Sequence, residues 1–179
     1  MAIGVFSRAD LRDSVLARIG TTALGPKKYK YSDLGYYMHQ RWLERYYGAA
    51  LDEVLESHWY GPMGLSLAYN PLQKAQSEAE ILHIAPTEND QIFRRQQLRG
   101  TVHDQGAALL GGVAGHAGLF GSAHDVASMM QLFLQGGRWN GYQYREPETI
   151  NAFSACYACD EGNRRGLGFD RPQTSGPGP

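Results

Sequence analysis

The chain has 179 residues and lacks several features that would otherwise define it. Cysteine is nearly absent: Cys156 and Cys159 form a single C-x-x-C. A structural zinc site needs four ligands, and neither a second cysteine pair nor an H-x3-H pair supplies the others. A redox C-x-x-C opens a helix after a strand, whereas this one follows a probable helix, so the two cysteines are read as small residues in a turn. The remaining histidines, His39, His58, His83 and His124, have no metal-ligand spacing, and no metal or other cofactor is expected. No apolar run approaches the ~18 residues of a membrane-spanning helix. Met1 to Phe6 lacks the basic start and the length of a signal peptide. Seventeen Lys plus Arg against eighteen Asp plus Glu give a net charge of -1. With no basic block, a nucleic-acid partner held by phosphate contacts is excluded.

What is present suffices for a core. Hydrophobic residues make up 42% of the chain, including 11 Tyr, 6 Phe and 3 Trp, which argues against disorder. Helical periodicity recurs. Ser7 can cap a first helix bearing Leu11, Val15, Leu16 and Ile19, which Gly20 stops. A loop with Lys27, Lys28 and Lys30 follows. A second helix starts near Ser32 or Asp33, carries Leu34, Tyr37, Met38, Trp42 and Tyr46 as its apolar stripe, and ends at Gly48. A third, with Leu51, Val54, Leu55 and His58 or Trp59, closes at Gly61-Pro62 and Gly64, making an αα-hairpin with the second.

From Ala68 to Gly112 the pattern weakens into long loop with short helical or extended pieces, a length that is usually functional. Gly111 to Gly121 is glycine-rich but fits neither phosphate-binding fingerprint, because no Lys follows and the glycines are out of register. Close backbone approach explains it better. The clearest helix follows, with Ser122 and Asp125 spaced as a capping box. Val126, Met129, Met130 and Phe133 form one face, and Gly136-Gly137 is the stop. Pro147 opens a last helix with Ile150 and Phe153 inward. These segments predict a mainly α fold: one helical domain over residues 1–172 and a loose tail over 173–179.

Tyr31-Ser32-Asp33 alone is an ordinary helix start with Ser32 or Asp33 as N-cap. The blocks that follow give it weight. Tyr31-Ser32-Asp33-Leu34-Gly35, Trp42 to Gly48, Leu51 to Leu55, Gly61-Pro62-Met63-Gly64-Leu65 and Gly115 to Ala127 resemble, in order, the class C β-lactamases and penicillin-binding-protein-like esterases. Arg99 to Asp104 resembles a branch of that family sometimes fused behind a bacterial β-N-acetylhexosaminidase domain. The resemblance runs roughly from Tyr31 to Phe169.

The resemblance implies acyl transfer by a serine nucleophile, on an ester, amide or peptidoglycan-related substrate. Three motifs serve it: Ser-x-x-Lys, the Tyr motif, and Lys- or His-Thr-Gly on a strand. Only the second carries onto this chain, with Tyr31 as proton-transfer residue and Asp33 where the family usually has Asn. Ionised Asp only accepts hydrogen bonds, whereas Asn can also donate, which disfavours β-lactam recognition. None of the chain's serines has a lysine three residues on. His116-Ala117-Gly118 is a poor third motif, because a helix and not a strand lies just beyond it.

By the resemblance the chain is an internal segment, the helical lobe of the β-lactamase/transpeptidase-like fold without most of the α/β lobe. It is expected to be inactive alone and to come from an extracytoplasmic bacterial parent. Its partner would be that absent lobe, and uncovered surface would favour self-association. His103, Asp104, His116 and Gly118 are weaker cleft candidates. His103-Asp104 also suits a loop cap and His116 a turn. A non-catalytic helical interaction module is the alternative.

Overall fold

The structure is a computed structural model that describes residues 10–26, 30–74 and 77–171. They fall into two compact units, one ending at Ser122 and one beginning at Ala123.

The first unit opens with α1 (Leu11–Thr21), whose Leu11, Val15, Leu16 and Ile19 are half-buried. The helix does not stop at Gly20. It runs on to Thr21, where the Thr21 and Thr22 hydroxyls donate to the carbonyls of Ala17 and Arg18 and satisfy the last turn. Ser7 lies outside the described residues. Helix α2 (Leu34–Tyr47) starts after Asp33 and stops at Gly48, whose φ of 67° only glycine adopts readily.

The apolar stripe of α2 is not its buried side. Tyr37 and Gln40 are buried, whereas Leu34, Met38, Trp42 and Tyr46 are exposed. The inward edge is the one where polar groups find partners. Gln40 bonds Val113, and Glu44 accepts from Gln40, Leu51 N and, as an ion pair, Arg12.

Helix α3 (Leu51–Leu55) passes through a π-helical turn (Glu56–Tyr60) into α4 (Gly61–Met63). Gly61-Pro62 therefore does not break the path. Pro62 has no N–H to donate, and the widened turn absorbs the mismatch. Gly64, at φ 69°, ends it. Leu51, Val54, Tyr60 and Met63 are buried.

The stretch expected to be mainly loop is more regular than that. Strand β1 (Ala68–Tyr69), α5 (Pro71–Lys74) and α6 (Glu78–His83) precede an antiparallel hairpin of β2 (Pro86–Asp90) and β3 (Gln96–Arg99), and α7 (Gln105–Leu109) follows. Only Asp90 and Leu98 of the hairpin strands are buried, so apolar alternation could not announce them. The glycine-rich run ends in β4 (Leu119–Phe120), antiparallel to β1 with Ala68 opposite Phe120. Val102, Ala107, Ala108 and Ala114 form a small core under the loop, flanked by Phe93, Leu110 and Ala117.

In the second unit α8 (Ala123–Leu134) ends in Gly136 and Gly137, at φ 61° and 86°, with the Gly137 N–H on the Leu132 carbonyl at 2.9 Å. The expected face is split. Asp125, Ser128 and Leu132 are buried, Met129 and Phe133 half-buried, and Val126 and Met130 exposed. Phe133 meets Phe169 edge to face. Strands β5 (Arg138–Trp139) and β6 (Tyr142–Gln143) form a hairpin over Asn140-Gly141, both at positive φ. Helix α9 (Pro147–Ser154) buries Ile150 but leaves Phe153 exposed. The returning segment meets the Phe153 backbone, not its ring: Leu167 N donates to the Phe153 carbonyl at 2.8 Å. Cys156 and Cys159 are not two separate turn residues but a disulfide. Among the described residues the strands make three two-stranded sheets, and the fold is mainly α as the periodicity predicts.

Candidate functional site

The site is built around the N-terminal end of α2. Tyr31 stands three residues ahead of the helix with 66% of its surface exposed. Ser32 Oγ accepts from Leu34 N at 3.2 Å, so the serine caps the chain while the Asp33 carboxylate makes no cap bond. The Asp33 carbonyl accepts from Tyr36 N at 2.9 Å and begins the helical ladder.

One turn on, Tyr37 is buried. Its ring lies 4.7 Å from that of His116, and its hydroxyl rests against Gly106, where a Cβ could not fit. Burial, then the Asp104 and Asp33 carboxylates, push the Tyr37 phenol up, so it stays a neutral donor.

Asp104 does two jobs. Its carboxylate accepts the Ala107 N–H at 2.7 Å as N-cap of α7 and meets His116 Nε2 at 3.0 Å. Burial alone would raise its pKa, but these two bonds outweigh it and hold the carboxyl below the usual carboxylate range. An ionised carboxylate only accepts, so Nε2 carries the proton. His116 Nδ1 is buried with no hydrogen-bond partner among the described residues.

Of the residues chosen from sequence, Asp104 and His116 are in direct contact, and Asp33 acts on the same Tyr37 electrostatically. The His103 side chain is exposed and outside this group, although its charge helps to lower Asp104. Gly118, at φ 109°, packs on the Gly112 carbonyl and the Tyr69 ring. Tyr31 sits on open surface, whereas Gly112 and Ala114 of the glycine run are buried and Gly111, Gly115 and Leu119 exposed.

Three supporting residues were not singled out as functional. Tyr37 counted only as apolar, though it stands four residues after Asp33 and shares its face. Gln40 is buried three residues further on: its Nε2 donates to Val113 O at 3.0 Å, and its Oε1 accepts from Gly115 N at 3.2 Å. Arg94, wholly buried, donates to the carbonyls of Val102 and His103 just ahead of Asp104. Nothing in its polar sequence neighbourhood marks it.

No family model matches the chain. A provisionally named D-alanyl-D-alanine carboxypeptidase of Escherichia coli (strain K12) is 35% identical over 136 residues, which is 71% of this chain and 31% of that protein. An N-acetylmuramyl-L-alanine amidase of Bacillus subtilis (strain 168) is 34% identical over 142 residues, 74% of this chain and 32% of the relative. A crystal structure of a provisionally named β-lactamase from Bacteroides dorei DSM 17855 superposes with a TM-score of 0.52 at 14% identity, over 87% of this chain and 38% of that one. The last likeness concerns fold alone. The relatives and the fold define a class, and the chain belongs to the β-lactamase and penicillin-binding-protein-like family. It spans about a third of the length of the curated relatives it matches.

Proposed function

We propose that this chain is the helical part of a serine hydrolase that acts by acyl transfer on a peptidoglycan-related ester or amide. The observation that carries the reading is Tyr31-Ser32-Asp33, standing accessible at the start of α2. In this reading Tyr31 passes the proton between nucleophile and leaving group. The nucleophile itself, a Ser-x-x-Lys serine, belongs to the part of the fold that the relatives have and this chain does not match, together with the third motif. Asp33 accepts from a substrate N–H and does not donate to a substrate carbonyl, which turns the site away from β-lactams. The chain forms one lobe, partners an α/β lobe of the same parent, and works outside the cytoplasmic membrane. A tandem arrangement with a β-N-acetylhexosaminidase domain fits the same substrate.

Alone, the chain carries no acyl-transfer activity. It should remain unlabelled by a fluorescent penicillin and by a fluorophosphonate, and a Ser-x-x-Lys should precede Met1 in the source gene. Stoichiometric labelling of the isolated chain overturns the proposal. The exposed row Leu34, Met38, Trp42 and Tyr46 favours one second reading, a non-catalytic interaction module. That reading gains if the source gene carries no such motif.

A further inference from the structure

We infer that Asp104 and His116 are a positioning pair: a carboxylate that fixes one imidazole tautomer and thereby holds the first turns of α2, with Tyr31 and Asp33, against the glycine-rich loop. The role rests on the reading of Tyr31 and Asp33 given above, but the geometry stands without it.

The imidazole is enclosed and held by two contacts. Its side chain is 5% exposed, its Nε2 faces Asp104 at 3.0 Å, and its ring lies against Tyr37. Tyr37 belongs to α2, so His116 ties the loop to the helix one turn beyond Asp33. Gln40 repeats the tie one turn further, its amide pairing with Val113 O and Gly115 N as a neighbouring strand would. Gly115 passes so close that a Cβ there would lie 2.9 Å from the Tyr36 carbonyl. Loop and helix start therefore move together.

Asp104 is fixed in turn. It caps α7, and Arg94 grips the two carbonyls before it. The chain of contacts runs from the hairpin through Arg94 and Asp104 to His116, Tyr37 and the working end of α2. Asp104 and His116 act through Tyr37.

The test uses the whole chain labelled with 15N-histidine. The expected spectrum shows a proton fixed on His116 Nε2, with a resolved one-bond 1H–15N splitting and slow exchange with solvent. An averaged or reversed tautomer overturns the inference. No substrate is involved, so this result and the fate of the hydrolase reading are separable.

Asp104→Asn and His116→Phe supply a second readout. Each should speed exchange of the Gly115 amide at least ~10-fold while leaving the α8 amides unchanged, because opening is local. Asp104→Asn should also let Tyr37 titrate at lower pH, followed by its 13Cζ signal, since one of two facing carboxylates is gone. Equal acceleration at every amide, or continued protection of Gly115, assigns the pair a general structural role and sinks the proposal.

Discussion

Arg94 Nε donates to Asp90 Oδ2 at 2.8 Å inside the turn of the β2–β3 hairpin, and both side chains are buried. The carboxylate also accepts the backbone N–H groups of Ile92, Phe93 and Arg94, so its charge is met from four directions. Arg94→Met should unfold at a clearly lower urea midpoint than Arg41→Met, which alters an exposed helix position. Breaking a buried pair leaves one charge uncompensated, whereas a surface substitution changes little. Equal midpoints would show that the pair is incidental.

Acid should weaken the first unit for the same reason. Arg94 and the turn amides hold the Asp90 carboxyl well below the usual carboxylate range, and Asp104 and Glu44 are also lowered. A carboxylate with a depressed folded pKa contributes stability above its unfolded value, roughly 4, and loses it as pH falls through the folded value. Urea midpoints should therefore be flat from pH 7 to about 5 and fall below about 4. In Arg94→Met the fall should be shallower. A midpoint insensitive to acid would contradict the assignment.

Helix type and order were legible because Asp33, Gly48, Gly64 and the Gly136-Gly137 stop punctuate the chain with local backbone chemistry. The buried side was legible on α3, where Leu51 and Val54 are buried, but not on α2 or α8. On α2 the inward edge is decided by Gln40 and Glu44, whose partners lie as far as 75 residues along the chain. The β5–β6 hairpin has a local signal in Asn140-Gly141 that the reading above passes over, whereas β2–β3 rests on a buried salt bridge with no period. For the site, Asp104 and His116 could be named one by one, but their pairing comes from tertiary packing across 12 positions.

The two sides of α2 should respond differently to truncation. Trp42, 61% exposed, can become Ala at a cost of roughly 0.5 kcal/mol, because most of its surface already faces solvent and its stacking partner Tyr46 is exposed as well. Tyr37→Ala should cost about 3–5 kcal/mol, the range for emptying a buried aromatic site. Thermal unfolding of both variants decides it. A loss on Trp42→Ala as large as on Tyr37→Ala would mean that the row Leu34, Met38, Trp42 and Tyr46 is covered in solution. Sedimentation velocity would then show whether a second copy covers it.

Two glycines test the close-approach reading of the glycine-rich run. Gly118 has φ 109°, a region that side chains avoid, and a Cβ there would drive into the Gly112 carbonyl and the Tyr69 ring. Backbone strain alone costs about 1–2 kcal/mol, and Tyr69 and the Gly112 backbone are packed too tightly to move aside cheaply. Gly35 is the contrast. It lies inside α2 with helical φ, and a Cβ would meet nothing within 4 Å. Gly35→Ala should stabilise by up to about 1 kcal/mol, because the unfolded chain loses freedom that the helix never used. Gly118→Ala should destabilise by more than 1 kcal/mol and expose the Gly115 amide to exchange, because the loop must shift off Gln40. Should Gly118→Ala prove neutral, the left-handed conformation would not be what holds the loop against β1, and the glycines there would serve flexibility instead.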